Sequence, residues 1–135
     1  GLEIWIETVT AFTGTPSFHI NYLDQGGAAG DSGVVSAGAA MTVGRMYRMP
    51  LASGDTGVQQ ITQVRGTVAT VGTFNVHVLR RLWGGRVIAT HDGDIHDLMK
   101  TGAPQVYADS ALFVMIQPDG TASALPEVTM EIADA

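Results

Sequence analysis

The chain has 135 residues, 45% of them hydrophobic and 15% charged, with 17 glycines, no cysteine and a net charge of −6 at pH 7. That length suits one domain with a real core, and so apolar a composition excludes a disordered chain. The acidic balance argues against nucleic acid as a partner, the missing cysteines exclude disulfides and thiolate metal sites, and the longest apolar run, ALFVMI at 111–116, falls far short of the roughly 20 residues of a membrane span.

The chain opens GLEIWIETVTAF, already inside a strand-like pattern, with neither a Met nor the basic and apolar regions of a signal peptide. The expectation is that an initiator Met has been removed or that this is a piece of a longer product. LEIWIETVTAF (2–12) sets Leu2, Ile4 and Ile6 against Glu3, Trp5 and Glu7, the period-2 alternation of a half-buried strand. After the turn TGTP, SFHINYLD (17–24) alternates Phe18, Ile20 and Tyr22 with His19 and Asn21. QGGAAGD (25–31) reads as a Gly-rich hairpin loop and SGVVS (32–36) as a short strand.

AGAAMTVG (37–44) is small and flexible in composition, and reads as an arm or a loop lying on a partner. RMYRMPL (45–51) reads as a strand that Pro50 confines to a sheet edge or a strand end. VQQITQVRG (58–66) and TFNVHVLRRL (73–82) are two further strands, the second with Phe74, Val76 and Val78 on its apolar face. VYADSALFVMIQ (106–117) reads as one strand or two, and EVTMEIAD (127–134) closes the chain with Val128, Met130 and Ile132 inward. About eight short strands, Gly-rich turns and a single short helix near 94–101 make an all-β class: one β-sandwich domain of jelly-roll type over 1–135, with an open barrel as the alternative.

The stretch ATHDGDIHDLMKTG (89–102) holds most of the letters that suggest chemistry. Asp94 stands where a helix N-cap belongs, Asp97 falls in the first turn, Lys100 in the last, and Gly102 suits the stop before Pro104. Asp92-Gly93 is a common turn pair, so the suggestive residues there all have a structural role except His91 and His96. The spacing matches neither a zincin helix nor an EF-hand loop, and no Gly-x-Ser-x-Gly elbow occurs. His19 and His77 sit mid-strand on the polar faces. Neither catalytic nor cofactor-binding nor metal-binding residues are expected. Arg45, Tyr47, Arg48, Trp83 and Arg86 are instead expected at a partner contact, because Arg and large aromatic residues are favoured in interfaces.

Five stretches, EIWIETVTAFTG, INYLDQGGAAGDSG, VGRMYRMPLASGDTGVQQI, GTFNVHVLRRL and HDLMKTGAPQVYADSALFVMI, together resemble virion structural proteins of tailed bacteriophages, of the small head-decoration or cement kind. GRMYRMPLASGDTGV is the most distinctive of them. The resemblance implies a non-enzymatic β-sandwich without a cofactor, made in the host bacterial cytoplasm and bound to the capsid exterior. It implies the major capsid protein as partner, and a second copy of itself in a dimer or trimer. It also implies an extra N-terminal region in related chains. Two alternatives stand beside it. One is a tail or fibre protein whose jelly roll binds carbohydrate or a receptor near Trp5 or Trp83. The other is a cupin-like metalloenzyme in which His19, His77, His91 and His96 converge.

Overall fold

The structure, a computed structural model, describes residues 1–38, 41–86, 92–102, 104–116 and 128–130. The chain divides into two compact units, Gly1–Pro104 and Gln105–Ala135. The first unit holds β1 (Leu2–Thr10), β2 (Ser17–Asp24), β3 (Ala29–Ser36), β4 (Met46–Met49), β5 (Val58–Gly66), β6 (Thr73–Arg80) and α1 (Leu98–Thr101). The strands form two three-stranded antiparallel sheets, β4-β1-β6 (sheet A) and β3-β2-β5 (sheet B). The fold is therefore all-β and sandwich-like, with six strands among the described residues where about eight are expected from the sequence.

The alternating residues of β1 and β2 make the core. Ile4 and Ile6 from sheet A and Phe18, Ile20 and Tyr22 from sheet B are buried in one cluster with Phe12, Met41, Met49 and Val58. Burying each large aliphatic side chain contributes about 1.5–3 kcal/mol. Phe12, Phe18 and Phe74 meet as an aromatic trio, with ring centroids 4.9–6.2 Å apart.

Strand β5 departs from simple alternation. Its apolar residues Val58, Ile61 and Val64 are spaced by three. Two register shifts against β2, between Asn21 and Tyr22 and between Leu23 and Asp24, each insert one extra residue. Each bulge resets the pleat, so all three apolar side chains return to the inner face. A third bulge lies in β3, where Gly33 adopts φ 65°. There the Ser32 hydroxyl accepts the Ile20 amide at 3.0 Å and donates to the Gly33 carbonyl at 2.8 Å.

Three expectations change. The segment around 37–44 is not a free arm: Met41 is fully buried, its carbonyl accepts the Phe12 amide, and Ala37 packs against the core; residues 39 and 40 lie outside the described residues. The strand expected over 106–117 is not formed in its described part, where Ser110 donates its amide to the Tyr107 carbonyl and closes a turn mid-segment. Residues 128–130 are not in a strand either, and the rest of 127–134 lies outside the described residues. In the second unit, Phe113, Val114, Met115 and Ile116 are all exposed.

Candidate functional site

The helix near 94–101 shortens to α1, Leu98–Thr101. Its cap is Asp97 rather than Asp94: the Asp97 carboxylate accepts the Lys100 amide at 2.8 Å, three residues on, as an N-cap does. Gly102 follows at φ 67°. Asp94 is freed for a different task. Its carboxylate accepts from Lys100 Nζ at 2.7 Å, from His96 Nε2 at 2.9 Å and from the Arg86 amide at 3.3 Å. These donors, Lys100 foremost and then His96, hold the Asp94 carboxyl down at about 2.

This carboxylate pins the loop after β6 to the turn before α1. The His96 ring stacks on the Trp83 indole, centroids 5.6 Å apart and planes 29° apart. Gly85 of WGGR makes the approach possible. A Cβ on Gly85 would lie 2.8 Å from Asp94 Oδ2, and one on Gly84 would lie 2.3 Å from the Arg81 guanidinium. The segments that meet at this joint carry exposed apolar side chains. Trp83 is 38% exposed, Ile95 85% and Met99 92%. Four of the seven Lys and Arg residues, Arg80, Arg81, Arg86 and Lys100, fall between positions 80 and 100.

The other residues expected at a contact do not join this patch as one set. Arg45 is exposed in the segment before β4, and its carbonyl accepts the Thr8 amide. Tyr47 pairs with Ile6 on the inner face of sheet A and packs against the core. Arg48 points outward and bridges Glu3 at 3.0 Å. That outer face continues with Trp5, whose Nε1 donates to Glu3 at 3.0 Å, and with Glu7, which accepts from His77 at 2.9 Å and Asn75 at 3.2 Å. The His77 and Asn75 donors lower the Glu7 carboxyl below its ordinary value. Where β1 meets the 51–56 loop, a cleft of about 430 Å³ is lined by Leu2, Glu3, Arg48, Leu51, Asp55 and Thr56, among others.

Sheet B carries a polar cluster that sequence reading does not assemble. On its outer face His19 lies between Asp31 of β3 and Arg65 of β5. His19 and His77 thus face away from the shared core on different sheets, His96 is spent on Asp94, and His91 lies outside the described residues. The four histidines of the cupin-like alternative are not brought together by the three that are described. Among the described residues no group of three or more His, Asp or Glu side chains is placed to hold a metal ion, and no helix is long and apolar enough to cross a membrane.

No family model matches the chain, and no curated protein or solved structure matches it either.

Proposed function

We propose that the chain is a structural virion protein of the capsid-decoration kind, which binds the outer surface of a phage capsid and cements neighbouring major capsid subunits. The observation that carries the docking is the patch built on Trp83, Arg86, Ile95 and Met99. Two aliphatic side chains at 85% and 92% exposure beside a half-exposed indole are costly to leave in water. Trp and Arg are the residues that dominate protein–protein binding energy. The assignment to a virion rests on the resemblance of the quoted stretches. The jelly-roll reading of the two sheets, and assembly as a dimer or trimer on the shell, belong to the same proposal.

The test is binding to heads that lack the protein. Wild-type chain co-sediments with such heads and raises their resistance to heat. The double variant Trp83→Ala, Arg86→Ala loses most of both effects while keeping its own unfolding midpoint. A wild-type chain that leaves the heads unbound removes the capsid reading. Undiminished binding of the double variant removes the patch.

A second reading, a tail or fibre protein that binds carbohydrate, is favoured by the open cleft where Glu3, Arg48 and Asp55 offer charged donors and acceptors. Glycan-array binding that is lost in Asp55→Ala, with no binding to heads, selects it.

A further inference from the structure

We propose that the outer face of sheet B carries a proton-operated latch, in which neutral His19 joins Asp31 of β3 to Arg65 of β5 across the central strand β2.

The hydrogen-bond directions fix the state of the ring. Arg65 Nη2 lies 2.5 Å from His19 Nδ1. A guanidinium has only donors, so Nδ1 is the acceptor and carries no hydrogen. The one ring proton is then on Nε2, which lies 2.5 Å from Asp31 Oδ1 and donates to it. Asn21 closes the circuit. Its Nδ2 donates to Asp31 Oδ2 at 3.2 Å, and its Oδ1 accepts from Arg65 Nη2 at 3.4 Å. Every donor in this ring meets an acceptor for one protonation state of His19 and no other.

Imidazole is the side chain whose charge changes between about pH 5 and 8. A second proton, on Nδ1, sets a donor against the Arg65 donor and a cation against a cation. Arg65 must then leave, and its only other partner in the ring is the long contact to Asn21. Asp31 keeps its bond to Nε2 and gains charge attraction. Its carboxyl is held below its ordinary value, first by the Gly33 amide and then by His19, so it stays ionised while an imidazole titrates. Asp31 and Arg65 are the charged groups that face His19 from the two neighbouring strands; β2 itself adds only the neutral Asn21. The side chain of His19 is only 14% exposed, so water cannot fully replace the lost partner. Protonation therefore unlatches β5 from β2 and leaves β2 tied to β3.

Histidine ring nitrogen NMR on the wild-type chain reads the latch directly. At pH 7.5 His19 is expected as the Nε2–H tautomer. In acid, once the ring carries its second proton, amide-exchange protection is expected to fall several-fold in the β2–β5 ladder and not in the β1–β6 ladder. The variant His19→Gln supplies one acceptor and one donor without titrating, so its β2–β5 protection does not step with pH. An Nδ1–H tautomer at neutral pH, an unchanged β2–β5 ladder in acid, or a step that survives in His19→Gln overturns the proposal. Should the variant not fold, the wild-type tautomer and ladder measurements decide alone.

Discussion

The Tyr22 hydroxyl donates to Asp55 Oδ2 at 2.7 Å, across 33 residues of sequence. The same oxygen accepts the Ala52 amide at 2.6 Å, so one phenol ties the 51–56 loop to the middle strand of sheet B. Burial, with Asp55 opposing its ionisation, raises the Tyr22 phenol above its ordinary value, so it donates throughout the range in which the protein is handled. Tyr22→Phe keeps the ring in the core and strands both partners. The expected cost is about 1–3 kcal/mol, read as a lower denaturant midpoint with an unchanged slope.

Met41 and Val43 sit two residues apart in a segment of small residues, yet one is fully buried and the other 65% exposed. Met41→Ala leaves a cavity in the core and is expected to cost about 2–5 kcal/mol. Val43→Ala is expected to change stability by less than about 0.5 kcal/mol. Chemical denaturation of the two variants separates a core anchor from a free arm; equal and small effects would restore the arm.

Asp94 holds its carboxyl at about 2, against an ordinary 3.8. A depressed carboxyl stabilises the folded joint above its ordinary value, and that contribution is lost as the pH falls through the folded value. The contacts of Asp94 to Lys100, His96 and Arg86 are therefore expected to hold at pH 5 and to open between about pH 4 and 2. Trp83 fluorescence in a Trp5→Phe background follows the opening. Asp94→Asn is expected to lack the step; a step of the same size in that variant would place its origin in another carboxyl.

Much of the sandwich was legible because alternation is a strong signal when one sheet face is buried. β1 and β2 lie where their patterns put them, and β5 was found despite a spacing of three that only its bulges explain. The strand expected over 106–117 had composition without a ladder partner, and composition does not supply one. The sequence puts the cap at Asp94 and Asp97 inside the first turn, whereas the cap is Asp97. The choice depended on where Lys100 and the Arg86 amide stand, which spacing alone does not give. The His19 ring was illegible for the same reason: Asp31 and Arg65 reach His19 only through strand register, and the Gly33 bulge sets part of that register. The double glycine of WGGR was the overlooked signal, since neighbouring residues without a Cβ mark a close approach.

Thr8 is 1% exposed on the inner face of β1, and its hydroxyl oxygen has no hydrogen-bond partner among the described residues. Thr8→Val keeps the shape and removes the unmet polar atom. It is expected to be neutral or to raise stability by about 1 kcal/mol. Thermal unfolding checks it; a clear loss would mean that the hydroxyl is satisfied in solution.

The two bulges of β5 also govern what sheet B can grow into. Among the described residues nothing pairs with the outer edge of β5, and an unpaired edge invites a foreign strand to extend the sheet. A regular strand laid against this edge would fall out of register at each inserted residue and could hold only a short run of hydrogen bonds. The same insertions that return Ile61 and Val64 to the core thus make the edge a poor template, so crowding many copies together carries less risk of fibre-like stacking through sheet B.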